Sequence, residues 1–232
     1  GVITAVTTAA LIASWSRGAW LGFAAGTAVL IFYWPKKRWQ GVALLGVGVA
    51  LILGGLQFHL IPTSIIERVT SFSQDLQFGD VRGVDINDAN YAILERLAHW
   101  QAALAMARDH LWLGVGFGNY EPAYPGYALV NWPAPLGHAH NYYLNLLAET
   151  GIIGLAAYLL LWTAVFWQTI RVLKRLDWPQ RGIALGLLAA WTGLTVHHLV
   201  DKLYVNNIYL HLGVMLGLLQ LLDQETGALE DR

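Results

Sequence analysis

The residues of this sequence best suited to chemistry are His140, in Gly137-His-Ala-His-Asn141, Arg17, in Ser14-Trp-Ser-Arg-Gly18, and Arg96, in Glu95-Arg-Leu-Ala-His-Trp100. An imidazole exchanges a proton near neutral pH, and a guanidinium forks onto phosphate or carboxylate oxygens through two parallel hydrogen bonds. Each has a plainer role open to it. His140 can cap a helix or sit at an interface, Arg17 can snorkel from an apolar run to water, and Arg96 can pair with Glu95. His138 and His140 would offer a metal two imidazoles. Their i,i+2 spacing suits an extended segment, and no third ligand follows at a diagnostic spacing, so no metal site is expected. His197, His198 and Asp201 gather at the end of a later apolar stretch, where capping or support of a site is open to them. The chain carries no Ser or Cys nucleophile motif and no phosphate-binding loop. Gly114-Val-Gly-Phe-Gly-Asn119 follows a helical pattern without a βαβ unit and reads as a turn.

These side chains need helices to hold them. Leu144, Leu147, Gly151 and Gly154 fall at i+4, i+7, i+11 and i+14 from His140, on one face of a helix that starts there. Glycines on that face let a neighbouring helix or lipid chain come close to the backbone. The residues from 140 to 150 would project above a span beginning at Gly151, placing His140 at the outer surface and Glu149 near the interface. Asp88-Ala-Asn90 can start a helix reaching about His110. Its apolar residues Ile93, Leu97, Trp100, Leu104 and Leu111 form a stripe, with Arg96 at the edge. Before it, residues 61–88 read as irregular apart from a short helix around Ile65 to Val69. After it, Tyr120 to Leu136 holds Pro122, Pro125, Pro133 and Pro135 among aromatic residues, which excludes a long helix. That segment reads either as an aromatic lid over sugars or lipid headgroups or as a connector.

The larger frame is a membrane. Of 232 residues, 56% are hydrophobic and only 12% charged, against about 25% charged in an ordinary soluble domain. The 11 Trp and 10 Tyr suit two interfacial belts. A net charge of −1 gives no field for nucleic acid, and the absence of cysteine removes disulfides and thiolate metal sites. Spans of roughly 20 residues fit residues 41–60, 151–170, 182–200 and 204–222. The run from Val2 to Trp34 reads as a hairpin of two spans turning at Arg17. The expectation is an all-α polytopic protein of about six transmembrane helices plus one large external loop. Residues 1–60 would carry three spans, 61–150 the loop, 151–222 three more spans, and 223–232 a cytoplasmic tail. Lys36, Lys37 and Arg38 lie in one short loop and Arg171, Lys174, Arg175 and Arg181 in another on the same side, which the positive-inside rule makes cytoplasmic. The start at Gly1, inside an apolar run, reads as a fragment of a longer protein whose earlier helices are missing.

At these residues the sequence resembles the O-antigen ligase/polymerase membrane family. Ser16-Arg17-Gly18-Ala-Trp-Leu21 is similar to its Arg-x3-Leu motif. Arg96-Leu-Ala-His-Trp100, Leu113-Gly-Val-Gly116 and Asn119-Tyr120 resemble its external-loop pattern. His140-Asn141, nine residues and Gly151-Ile-Ile-Gly154 match His-Asn-x9-Gly-x-x-Gly, the most specific of the three.

The resemblance implies a glycosyltransferase on the outer face of the bacterial inner membrane. Its donor would be a polyprenyl-diphosphate-linked saccharide and its acceptor a hydroxyl of a glycan, lipid or protein, with no cofactor, metal or nucleotide sugar. Arg17 and Arg96 would clamp the donor diphosphate and His140 would act as general base in an inverting displacement. Asn141, His138 and Asp201 would support them, and Gly151 and Gly154 would serve helix packing. Two other classes remain open on sequence alone. A carrier of bicarbonate or polysaccharide would place ionisable residues and broken helices at the bilayer midplane in repeated halves, a pattern absent here. A non-catalytic scaffold would make Arg17, Arg96 and His140 individually replaceable.

Overall fold

A computed structural model describes residues 1–75, 80–88 and 90–230. Ala89, in the middle of the expected helix start at Asp88–Asn90, lies outside the described residues. All regular structure among the described residues is helical: α1 Val2–Ala13, α2 Arg17–Tyr33, α3 Arg38–Gln57, α4 Thr63–Asp75, α5 Tyr91–Asp109, α6 Tyr120–Ala123, α7 Tyr142–Arg175, α8 Gln180–His197 and α9 Ile208–Glu230, with a 3-10 turn at Tyr124–Gly126. The chain divides into two compact units. One comprises Gly1–Pro62, Trp162–His197 and Tyr204–Arg232, and the other Thr63–Leu161 with His198–Leu203.

The first unit is built from apolar helices. Among the described residues, two helices of the chain are long and apolar enough to cross a bilayer alone, α3 and α7. By length and composition the expectation of about six such spans is therefore not confirmed, for identifiable reasons. Ser14 to Ser16 leave the helical run, and Pro35 stands just beyond the end of α2, so α1 and α2 keep only 12 and 17 residues. At 1.5 Å per residue α2 covers about 25 Å of a hydrocarbon core about 30 Å thick. Arg17 opens α2 instead of forming the turn, and the Ser16 hydroxyl accepts the Ala19 N–H as its cap. α8 carries Gln180, Arg181, two threonines and His197 in 18 residues, and α9 continues as helix through the expected tail to Glu230.

Within this unit α2 and α8 meet through small residues. A Cβ on Gly22 would lie 2.7 Å from the Gly193 carbonyl oxygen, and one on Gly26 equally close to that of Ala189. This is a small-x3-small surface on both helices, the means by which apolar helices pack closely without a hydrophobic driving force. Trp191 is fully buried and donates its indole N–H to Thr169 at 3.2 Å.

Arg181, expected in a cytoplasmic loop, is buried at the start of α8. Its two terminal nitrogens donate to the Leu173 and Tyr33 carbonyls at 2.6 and 2.8 Å. These carbonyls belong to the last turns of α7 and α2, where helix acceptors have no partner of their own. Replacing Arg181 by Met leaves them buried and bare, so stability in detergent should fall by about 1.5–3 kcal/mol per bond lost. An unchanged denaturation midpoint would show the clamp to be idle.

Candidate active site

The second unit is organised on α5. The expected stripe is displaced there: Leu104 and Leu111 are exposed, whereas Ile93, Leu94, Leu97, Ala98, Ala102, Ala103, Met106 and Ala107 are buried. The alanines make the face shallow enough to receive aromatic rings. Tyr120 and Tyr124 pack on it with no exposed surface, and Trp132 packs farther along against Ile93 and Leu97. Burial is possible because both hydroxyls find partners. The Tyr120 hydroxyl shares a 2.9 Å hydrogen bond with His99 Nδ1, and that of Tyr124 donates to the Trp132 carbonyl at 2.8 Å. The aromatic segment is thus core at these three positions, and not a lid.

The glycines of the loop and of α7 meet. Gly151 interrupts α7 with φ 63° and ψ −168°, so the single helical face drawn from His140 to Gly154 does not exist. The segment after α5 enters the gap. Ile152 N–H donates to the Leu111 carbonyl at 2.8 Å, while Val115 and Gly116 donate to the carbonyls of Ala148 and Glu149, each at 2.9 Å. A Cβ on Gly151 would run into the Trp112 carbonyl, and one on Gly114 into the Glu149–Thr150 peptide. What approaches the glycine backbone is a loop of the same chain, where another helix or a lipid was expected. Glu149 is buried and accepts the Tyr120 N–H at 3.2 Å.

His140 stands just outside the helix this joint fixes. Asn141 caps α7 by accepting the Leu144 N–H at 3.0 Å, and its own amide donates to the Leu199 carbonyl at 2.8 Å. The Ala139 N–H donates to Asn145 Oδ1 at 3.1 Å. His140 itself takes φ +51°, a left-handed conformation in which His is among the enriched non-glycine residues. Its N–H donates to His138 Nδ1 at 3.0 Å and its carbonyl accepts the Trp100 indole at 3.3 Å. The imidazole lies edge-on to His99, centroids 5.5 Å apart, with Nδ1 3.9 Å from Asp201 Oδ1. Nε2 is buried and makes no hydrogen bond among the described residues.

Arg96 sits one helical turn before His99 and is half-buried. Its Nε makes no hydrogen bond among the described residues, and none of the ion pairs there includes it. The plain pairing with Glu95 is not formed; that carboxylate faces the Tyr91 hydroxyl and raises its pKa. Burial pushes His140 down to about 4, helped by the nearby charges of His138, His99 and Arg96 and opposed by Asp201. Burial likewise lowers His138, which feels Lys202 and Arg96 as well, and takes His99 to about 4. Burial is the main force holding the imidazoles neutral, with Asp201 working against it and Arg96 and Lys202 adding to it.

The structure thus brings together Arg96, His138, His140, Asn141 and Asp201, with Gly151 at the joint and Gly154 one turn beyond it on α7. Arg17 belongs to the first unit. His99 and Lys202 were given no role in the sequence, and Trp100 and Tyr120 stood there only in the apolar stripe and the external-loop pattern. His99 lies three residues after Arg96 on α5, a spacing that puts both on one side of the helix. His198 joins the pocket's edge by accepting the Tyr142 N–H on its carbonyl at 2.9 Å.

Two helices are thus long and apolar enough to span a bilayer, and the second unit holds a partly buried histidine within the field of a guanidinium. The chain belongs to the O-antigen ligase family, whose model matches residues 2–159. That range takes in Arg17, Arg96, His140 and the Gly151 joint, and ends before Asp201. Membership makes it a membrane protein of the glycosyl-transfer type. No curated protein matches the chain.

Proposed function

We propose that the chain transfers a saccharide from a polyprenyl-diphosphate donor to an acceptor hydroxyl, on the outer face of a bacterial inner membrane, with inversion at the anomeric carbon. The observation that carries this reading is the buried Nε2 of His140, which has no hydrogen-bond partner among the described residues, in the field of Arg96. With its proton on Nδ1 toward Asp201, His140 presents a lone pair at Nε2. The acceptor O–H gives its proton to that nitrogen as its oxygen bonds to the sugar C1. The C1–O bond to the diphosphate breaks, and its electron pair leaves with the phosphate oxygen.

A neutral imidazole of low pKa is a weak base. An anionic diphosphate beside it adds the negative charge that raises its proton affinity, so the base strengthens when donor is bound. Arg96 neutralises the charge that grows on the leaving group. Arg17 enters as a second diphosphate contact on its Arg-x3-Leu motif and its place at the start of α2. The guanidiniums would fill the role a divalent cation plays in other transferases. The acceptor is a glycan, a lipid or a protein hydroxyl.

Arg96→Lys and Arg17→Lys test the assignment because they keep the charge and lose the planar fork. Each should lower transfer from lipid-linked donor by about 10²–10³-fold, the usual effect of removing one preorganised donor to a developing anion. Transfer at near wild-type rates with unchanged donor affinity in both variants would remove the diphosphate clamp.

A further inference from the structure

We propose that His138, His140 and Asp201 form a binding site for zinc or a similar divalent transition-metal ion, and that the ion shuts off transfer by occupying His140. One ring nitrogen from each histidine and a carboxylate oxygen of Asp201 all lie within 4.8 Å of one another. The pair His140 Nδ1 and Asp201 Oδ1 is already at 3.9 Å. Zinc bonds of about 2.0–2.1 Å in a tetrahedron place neighbouring ligand atoms roughly 3.3 Å apart. The gap to be closed is therefore at most about 1.5 Å, shared among three partly exposed side chains.

The donor set suits this class of ion. Two imidazoles and one carboxylate select zinc, cobalt, nickel or copper over magnesium or calcium, which prefer oxygen alone. Three protein ligands leave a fourth position open. The site has a single negative ligand and lies in the positive field of Arg96 and Lys202. That field weakens cation binding and favours an anion in the fourth position, so occupancy responds to free metal instead of being permanent.

The shut-off half of the proposal rests on His140 being the base of the transfer reaction; the binding half does not. A metal on Nδ1 displaces the proton that faced Asp201. The neutral ring then carries its proton on Nε2, the atom that must accept one from the acceptor hydroxyl. Metal and acceptor proton are mutually exclusive on this imidazole, and no redox step or co-reactant is involved.

The test uses the full-length protein in detergent with any affinity tag removed. Titration with Co²⁺ should give the intense visible absorption of a four-coordinate ion at one equivalent, displaced by Zn²⁺ and not by Mg²⁺. Asp201→Asn should weaken binding at least tenfold, while Asp201→His, which restores a ligand, should keep it; the pair separates loss of a ligand from loss of fold. Absent binding, or binding unchanged in Asp201→Asn and in His138→Ala, overturns the site. Zn²⁺ at saturation should abolish transfer, and a chelator should restore it. If the metal binds as described and transfer is unchanged or faster, the shut-off is overturned and His140 is not the base, while the metal site itself stands.

Discussion

His140→Ala should lower transfer to the acceptor by about 10²–10⁴-fold, the usual cost of removing a general base, while lipid-linked donor still binds. Nothing else in the pocket replaces the lost lone pair. His99 shares its Nδ1 with Tyr120, and His138 Nδ1 accepts the His140 N–H. Because position 140 has φ +51°, a conformation in which histidine is among the enriched non-glycine residues, alanine there also gives up that local preference. His140→Asn separates the two effects: asparagine tolerates the left-handed conformation and offers no base, so it should be as inactive as alanine with less loss of stability. His138→Ala should be milder than either, though not silent, since it frees the backbone N–H that fixes residue 140. Initial rates with lipid-linked donor and acceptor in liposomes, alongside donor binding, decide the matter. Equal and small effects at 138 and 140 would return His140 to the role of an interfacial histidine.

The second large effect is expected at the joint. Gly151→Ala asks an L residue to hold φ 63° and ψ −168°, a region open essentially to glycine, at a cost of about 1–3 kcal/mol. Its methyl group would also meet the Trp112 carbonyl, and overpacking adds about 1–3 kcal/mol more. Gly114→Ala faces the same two costs from the other side. Against a total stability on the order of 5–15 kcal/mol, either change should sharply reduce folded yield and the denaturation midpoint. Gly118 is the control, with φ +78° and no atom within 4 Å of an added Cβ. Gly118→Ala should lose only the conformational part. Equal losses at 118 and 151 would mean that close approach of the two backbones does not decide the glycine requirement.

The parts of this fold that follow from local pattern were legible. α5 begins and ends within a residue or two of its expected limits, and the Pro-rich segment after it forms no long helix. Arg96 and His140 were grouped, with Arg17, on the family resemblance; the charge of Arg96 is felt by His140, and Arg17 belongs to the other unit. The misses share a cause. Projecting His140, Gly151 and Gly154 onto one face assumed an unbroken helix, and a glycine that breaks α7 for a tertiary reason looks in sequence like one that merely packs. The buried face of α5 is written in alanines, which carry little hydrophobic signal, whereas Leu104 and Leu111 carry much and face outward. Tyr120 and Tyr124 read as surface aromatics because their hydroxyl partners, His99 and the Trp132 carbonyl, are set only by tertiary contact. Asp201 could be suspected and not placed: its distance to His140 depends on how the chain returns after α8.

The joint between the loop and α7 has a consequence for engineering. Hydrogen bonds from Val115 and Gly116 to Ala148 and Glu149 close the intervening chain on itself, and the His138–Asn141 motif lies inside that closed ring. The tyrosines that lie inside the same ring, Tyr120 and Tyr124, pack against Ala102, Ala103 and Met106 of α5. His-Asn with its downstream glycines is consequently not a portable cassette. A piece that carries this pocket into another scaffold must bring Arg96 through Ile152 with both glycines of the joint, and also the segment from His198 to Asp201, which holds Asn141 and faces His140. Recombination between distant homologues should therefore lose function when crossovers fall between Arg96 and Ile152.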